Sequence, residues 1–102
     1  MFIAMNRFRI APGREAEFEE IWCNRDSRLK EVPGFISFRL MRGPEKEDHI
    51  LYASHTMWTS HAAFEAWTRS EQFRAAHAGA GGHKDLYLGP PEFEGFETVI
   101  DA

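Results

Sequence analysis

The amino-acid sequence predicts an α+β fold in which strands and helices alternate as a split βαβ arrangement, with an antiparallel sheet and both helices on one face. Three observations support this fold class: period-two alternation at both ends of the chain, apolar residues at helical spacing after the first strand, and a strand-turn-strand pattern before a second helical stretch. The chain of 102 residues has the size of one domain, which we expect to span residues 1–102.

The first strand and the first helix are predicted from the spacing of their apolar residues. Residues 1–10 alternate between two faces, and one face carries Phe2, Ala4, Asn6, Phe8 and Ile10. Pro12-Gly13 ends this strand. A helix is predicted over residues 14–29, because apolar side chains recur at helical intervals and glutamates fill its first half, where the helix dipole favours negative charge.

The middle of the chain contains two further strands. Pro33-Gly34 is a turn signal, and residues 35–42 form the second predicted strand. Gly43-Pro44 and the charged residues that follow are predicted to connect it to a third strand at residues 49–58, which is rich in β-branched and aromatic side chains. Thr59-Ser60 then offers an N-cap for a second helix. That helix carries Ala63, Phe64 and Trp67 on one side.

A short helix, a flexible segment and a last strand complete the predicted fold. Ser70 offers the N-cap of the short helix, which carries Phe73, Ala76 and His77 on one side. Residues 78–91 contain four glycines and two prolines, so we interpret them as a mobile lid or gate. Residues 92–100 alternate loosely and predict the final strand, with Phe93, Gly95 and Glu97 on one face.

Composition and charge exclude several classes of function. Twelve Lys and Arg against 16 Asp and Glu give a net charge of −4, so we expect no nucleic-acid partner.

Cys23 is the single cysteine, and no segment resembles a secretory signal or a membrane span, so we expect a protein of the reducing cytoplasm. Rossmann, phosphate-loop and CxxC motifs are missing, and the five histidines are too scattered for a multi-ligand metal site.

The sheet face opposite the helices is predicted to be apolar. Its candidate residues are Ile3, Met5, Phe35, Met41, Leu51 and Met57. An apolar sheet face is usually buried against another surface, so we expect a face-to-face homodimer. Cys23 lies in the first helix beside Trp22, where we expect a small buried side chain with no catalytic role.

Three residues are candidates for chemistry, although each also has a purely structural interpretation. His77 can interact with a helix C-terminus, or it can be an axial ligand of a metal ion. Trp67 can be a core aromatic residue, and the Asn6 side chain can form a hydrogen bond with the backbone. A buried amide on an apolar sheet face is costly unless it has partners. The topology predicts that these three side chains converge on one cleft between sheet and helices, walled by Trp22, Phe8 and Phe64.

The sequence resembles the IsdG-type haem-degrading monooxygenases, a branch of the antibiotic biosynthesis monooxygenase (ABM) superfamily of dimeric, ferredoxin-like α+β barrels. The resemblance covers nearly the whole chain. It rests on the N-terminal strand with Asn6, on the VPGF turn at residues 32–35, and on the run of residues 58–79. Within that run the family motif falls on Trp67, Ser70, Phe73 and His77. Asn6, Trp67 and His77 together are the more specific haem-degrading signature.

The resemblance implies a role for each residue of this signature. His77 would ligate the haem iron, Asn6 would donate an N–H to oxygen bound on the opposite side, and Trp67 would distort the macrocycle. Haem is then both substrate and cofactor, O2 is the oxidant, and electrons come from an external reductant. The expected products are iron and a bilin-type molecule.

The resemblance also implies which residues contact the ring and the edges of the haem. Trp22, Phe64 and Phe73 would contact the ring, Arg25 would pair with a propionate, and the glycine-rich segment with His83 and Lys84 would close over the edge. Two alternatives stay open. One is a cofactor-free ABM-type monooxygenase of a phenolic or quinol substrate, and the other is a non-catalytic haem-binding protein.

Overall fold

The computed structural model describes residues 1–24, 28–71, 73 and 85–102. Its strands and α-helices follow the chain in the order β1 (Phe2–Ile10), α1 (Glu15–Cys23), β2 (Phe35–Glu45), β3 (Ile50–Trp58), α2 (His61–Thr68) and β4 (Glu92–Glu97), with a 3-10 turn at Leu29–Glu31. The strands form one sheet in the order β2-β3-β1-β4, and every pairing is antiparallel. The predicted α+β split βαβ fold is confirmed.

Strand β1 lies inside the sheet between β3 and β4, and its alternation is the predicted one. Phe2, Ala4, Phe8 and Ile10 are buried on the helix-facing side, while Arg7 and Arg9 are exposed on the other. Asn6 shares the helix-facing side and is half-buried. The period of two therefore predicted correctly which β1 side chains face the helices.

The helix α1 is shorter than predicted. It ends at Cys23, and Asn24 is its C-cap. Arg28 has a φ of 53°, a left-handed conformation that a right-handed helix does not contain. Leu29 therefore lies in a separate 3-10 turn, although its side chain is buried in the core. Cys23 is exposed, so the expectation of a buried cysteine was also wrong.

The strand β2 runs through Gly43-Pro44 to Glu45, so the predicted connection after Arg42 was wrong. Proline is tolerated here because β2 is an edge strand and the pairing shifts register between Arg42 and Glu45. A second shift follows Phe35, which pairs with Trp58 on the helix-facing side. Phe35 was assigned to the open face, and the irregularity explains the error, because it breaks the alternation that the assignment used.

Both predicted serine caps are present. The hydroxyl of Ser60 accepts a hydrogen bond of 3.1 Å from the Ala63 N–H and caps α2. The hydroxyl of Ser70 accepts one of 3.2 Å from the Phe73 N–H. Of the short helix predicted after Ser70, Ala76 and His77 lie outside the described residues.

The segment before β4 was predicted to be a mobile lid, and its second half is instead attached to β1. Leu86 is fully buried and its carbonyl accepts a 2.9 Å hydrogen bond from the Ala11 N–H. Tyr87 forms a β-bridge with Ile10. Residues 78–84 lie outside the described part of the chain. The strand β4 ends at Glu97, short of the predicted Ile100.

The core consists of two clusters on the helix-facing side of the sheet. One, which we call the α2 cluster, contains Phe2, Ala4, Leu29, Val32 and Trp58, with Phe35, Ala63, Phe64 and Trp67 packed against it. The other, the α1 cluster, contains Phe8, Ile10, Phe18, Ile50 and Tyr52, with Trp22, Leu40 and Tyr87 packed against it. Neither helix in the described residues has the length and apolar content needed to cross a membrane.

Candidate functional site

The polar residue Asn6 lies where the two core clusters meet. It follows Ala4 of the α2 cluster by two positions and precedes Phe8 of the α1 cluster by two, so all three share the helix-facing side of β1. Its cross-strand neighbours are Ser54 on β3 and Phe93 on β4. Within the described part of the chain its amide has no side-chain hydrogen bond. An amide between two apolar clusters is therefore available to a ligand.

One side of the site is an aromatic chain on α2 and just beyond it. The rings of Trp67 and Phe73 meet edge to face with centroids 4.8 Å apart, and Trp67 lies 6.1 Å from Phe64. Phe64 in turn stacks on Phe93 of β4, with a centroid distance of 5.6 Å and an angle of 10°. The four rings are contiguous, so they form an apolar surface beside Asn6.

The other side of the site is built from α1 and β2. The ring of Trp22 stacks on Phe38 with centroids 5.7 Å apart and an angle of 12°. Phe8 contacts the same indole edge to face at 5.6 Å. Trp22 is half-buried and Phe38 is 36% exposed, so this pair is accessible at the β2 edge of the sheet. Stacked aromatic pairs therefore lie on both sides of the residue Asn6.

Helix α1 is attached to the sheet through the carboxylate of Glu19. The Tyr52 hydroxyl donates a hydrogen bond to Glu19 Oε2, and the Arg42 guanidinium lies 2.8 Å from the same oxygen. Burial, followed by the hydrogen bond to Glu19, raises the pKa of Tyr52 to about 12. Tyr52 is therefore a protonated donor at neutral pH. Trp22 lies about one turn after Glu19, so the contact holds the part of α1 that carries this indole.

A cavity of about 320 Å³ lies between α2 and the turn before β2, and Trp67 is part of its wall. Its wall consists of Val32, Pro33, Gly34, Thr59, Ala63, Ala66, Trp67 and Ser70. Gly34 has a φ of 87°, and a Cβ atom there would lie 2.5 Å from Ala63 Cβ. Only glycine satisfies both conditions, which explains the close approach of the predicted Pro33-Gly34 turn to α2.

Of the predicted site residues, the structure describes Asn6, Trp22, Phe64, Trp67 and Phe73. Trp67 contacts both Phe64 and Phe73, Trp22 lies in the other cluster beside the predicted wall residue Phe8, and Asn6 lies at the junction. Arg25 and His77 lie outside the described residues, as do His83 and Lys84.

Two aromatic residues beside the site, Phe38 and Phe93, were not predicted as site residues. The alternation of the last strand placed Phe93 on a face with Gly95 and Glu97, but it did not show which β1 residue lies opposite. Only the strand register makes Phe93 the neighbour of Asn6. A sequence pattern within one strand carries no information about its register with another.

The described residues contain no group of three or more His, Cys, Asp or Glu side chains arranged to hold a metal ion. Two of the described histidines pair with acids instead: His49 Nδ1 lies 2.7 Å from Asp48, and His61 Nδ1 lies 3.6 Å from Glu65. The contact with His49 lowers the pKa of Asp48. Asp48, His61 and Glu65 are exposed, and His49 is half-buried.

Comparison with known proteins identifies relatives of the whole chain. The model of the antibiotic biosynthesis monooxygenase family matches residues 1–79. A haem oxygenase (mycobilin-producing) of Mycobacterium tuberculosis is 31% identical over 100 residues, which cover 98% of this chain and 90% of that protein. A haem-degrading monooxygenase of Bacillus thuringiensis is 27% identical over 88 residues, covering 86% of this chain and 81% of the relative.

Solved structures share the fold. The haem degrader MhuD from Mycobacterium tuberculosis, with two haems bound in its active site, has a TM-score of 0.76 and 30% identity, and the match covers 100% of this chain and 99% of that one. SnoaB, a cofactor-independent oxygenase from Streptomyces nogalater, has a TM-score of 0.69 at 22% identity, covering 98% and 95%. The similarity to SnoaB shows a shared fold and nothing more. From the family match and these relatives, the chain belongs to the antibiotic biosynthesis monooxygenase family, within its IsdG-type branch.

Proposed function

We propose that this protein is a haem-degrading monooxygenase that binds haem between the sheet and the two helices. Ring opening uses O2 for the inserted oxygen and an external donor for electrons and protons, and it releases iron and a bilin-type product. The observation that carries the proposal is the half-buried Asn6, whose amide lacks a side-chain partner within the described residues and lies between two aromatic clusters.

The residues around Asn6 fit a flat apolar ring. Phe64, Trp67, Phe73 and Phe93 form a contiguous aromatic surface on one side, and Trp22 with Phe38 forms a second on the other. Such surfaces bury the faces and edges of a porphyrin, for which apolar and aromatic linings are typical. The amide of Asn6 supplies the N–H donor that an oxygen substrate requires beside the ring.

His77 is our candidate for the iron ligand. In the sequence it follows Phe73 by four positions, which is about one turn of the short helix predicted after Ser70, and Phe73 contacts Trp67. A neutral imidazole at this place would hold the haem against Trp67, whose indole would press on the macrocycle. Arg25 is our candidate for a propionate partner, since it lies three residues after Trp22 in the sequence.

We also propose that the open face of the sheet pairs with a second copy of the chain. Ile3, Met5, Leu51 and Met57 are half-buried there, and Met41 is 39% exposed. On the same face, Ser37 Oγ and His55 Nδ1 are buried without a hydrogen-bond partner among the described residues. A self-complementary partner would cover the apolar side chains and can satisfy both polar atoms.

A haem titration of the purified chain tests the proposed function. We expect a Soret band that saturates at one haem per chain and that His77→Ala shifts and weakens. His49→Ala is the matched control, because His49 is in the connection between β2 and β3 and pairs with Asp48. Ascorbate in air, with catalase present, should then bleach the Soret band and release iron.

The two alternatives predict different outcomes of this titration. A cofactor-free oxygenase gives no saturable Soret band, and a haem-binding protein gives a band that survives ascorbate in air. Either result would remove haem degradation as the function of this chain.

A further inference from the structure

We infer that Phe93 is a specificity residue, whose ring sets the rotation of the haem about its iron axis and so determines which edge of the porphyrin faces Asn6. The inference rests on the proposed function. It concerns a residue of β4 that none of the motifs in the sequence includes.

The strand register puts Phe93 directly opposite Asn6. Both residues are on the helix-facing side of the sheet, and directly opposed side chains in an antiparallel pair have Cβ atoms about 4.5–5.5 Å apart. A porphyrin edge that reaches the Asn6 amide therefore also meets the ring of Phe93. The next helix-facing position of β4 is Gly95, where the Phe2 ring already fills the space that a Cβ would take.

The ring of Phe93 is exposed on one side and stacked on another aromatic ring on the other. It is 52% exposed, although large apolar side chains are usually covered, and it stacks on Phe64 at 10°. Phe64 is fixed in turn by Phe2 at 5.3 Å and by Trp67 at 6.1 Å. An exposed aromatic ring that is backed by the core is typical of a surface prepared for a flat ligand.

The chemistry of haem explains why such a contact would select an orientation. The porphyrin periphery carries methyl, vinyl and propionate groups in an asymmetric order, so a rotation changes which groups meet a fixed ring. A propionate against Phe93 would lose hydration without a partner, whereas a methyl or vinyl edge would pack on it. Contact with one rigid phenyl ring therefore favours some rotations over others.

The test compares Phe93→Ala and Phe93→Leu with the control Phe96→Ala. Phe96 lies on the same strand and is similarly exposed, at 45%, but it pairs with Ile3 on the open face. Haem affinity is measured by Soret titration, and orientation is measured from the haem-methyl resonances in the proton NMR spectrum of the cyanide complex. Product isomers from ascorbate-driven degradation are separated by chromatography.

We expect Phe93→Ala to change the ratio of haem orientations and of product isomers by about fivefold, the size of one aromatic contact, and to weaken haem binding by no more than about tenfold. Phe93→Leu should restore part of the wild-type ratio, and Phe96→Ala should keep it. Unchanged ratios in a Phe93→Ala protein that binds haem would overturn the inference while leaving the proposed function intact. Failure of the wild type to bind haem would instead remove both.

Discussion

The two faces of the four-stranded sheet carry different kinds of residues at their centres. On the helix-facing side Asn6 lies between two aromatic clusters, and the neighbouring Ser54 is buried. On the open face the centre contains Met5 and Met57 around His55, whose Nδ1 has no partner among the described residues. The same strands thus present a donor in an aromatic setting on one side and adaptable apolar groups on the other.

Under the two proposals, the helix-facing side recognises a small molecule and the open face recognises a protein. A ligand that is flat and rigid is held best by fixed aromatic rings and one directed polar group, and the helix-facing side offers both. Flexible methionines with little directed polarity pack well against another protein surface. Variants on the two faces should therefore change different measurements.

The largest expected effect is on catalysis, from Asn6→Ala on the helix-facing side. Removing the amide donor should slow ascorbate-driven haem degradation by about 100-fold or more, because loss of one directed hydrogen-bond donor beside a developing charge typically lowers the rate by that factor. Haem affinity should stay within about threefold, because the aromatic contacts remain. Single-turnover loss of the Soret band measures the rate, and a wild-type rate would exclude Asn6 from the chemistry.

Substitution of His77 should change binding more than any other single variant. His77→Ala removes the proposed iron ligand, so we expect haem affinity to fall by about 10- to 100-fold and the Soret maximum to move. Imidazole added to the solution should restore part of the wild-type spectrum. An unchanged spectrum in His77→Ala would place the ligand at a different residue.

On the open face, Met57→Asp should break association without affecting the ligand. A carboxylate buried at an apolar interface loses its hydration, so it should raise the dimer dissociation constant by at least about tenfold. Sedimentation velocity measures this change, and Val99→Asp is the control because Val99 is 89% exposed beyond β4. If Met57→Asp altered haem affinity as strongly as association, the two faces would not be independent.

Variants of Trp67 test whether the aromatic surface contributes to haem degradation as well as to haem binding. Trp67→Phe should keep most haem degradation, while Trp67→Ala should reduce the rate by about fivefold as the ring distortion is lost. Resonance Raman spectra of the bound haem report its planarity. The strain proposal fails if the Ala variant, shown by circular dichroism to be folded, degrades haem at the wild-type rate.

The smallest effect concerns the contact that attaches α1. The pKa of Tyr52 is raised from 10.0 to about 12 by burial and by Glu19, so the folded state retains a proton that the unfolded chain loses above pH 10. Its contribution to stability is complete below pH 10 and declines between pH 10 and 12. Urea unfolding should therefore show the stability difference between wild type and Tyr52→Phe shrinking over this range. A difference independent of pH would contradict this assignment.

Several features of the fold were predictable because they depend on neighbouring residues in the chain. The period of two placed Asn6 on the helix-facing side, and Ser60 and Ser70 were correctly predicted as caps. The prediction of a mobile lid was wrong for residues 85–91, where long-range contacts decide the outcome: Leu86 is buried, and its carbonyl accepts a hydrogen bond from Ala11, directly after β1. Composition measures intrinsic flexibility, and a buried anchor overrides it.

The candidate site divides in the same way. Phe64 and Trp67 were found from helical spacing, since residues three or four apart share a face, and Phe73 was found from the family motif that the sequence resembles. His77 and Arg25 remain predictions from the sequence. Phe38 and Phe93 required the structure, because each is defined by a stacking partner distant in the chain.

The sequence alone determined the order of the strands and helices, the side of β1 on which Asn6 lies, and the family. These properties are encoded in local periodicity and in short motifs of nearby residues. The tertiary structure decided which strands are neighbours, where β2 changes register and which rings stack on each side of Asn6. Those features arise from packing between segments that are far apart in the chain. Their energies depend on the whole core, so no single segment of the sequence carries them.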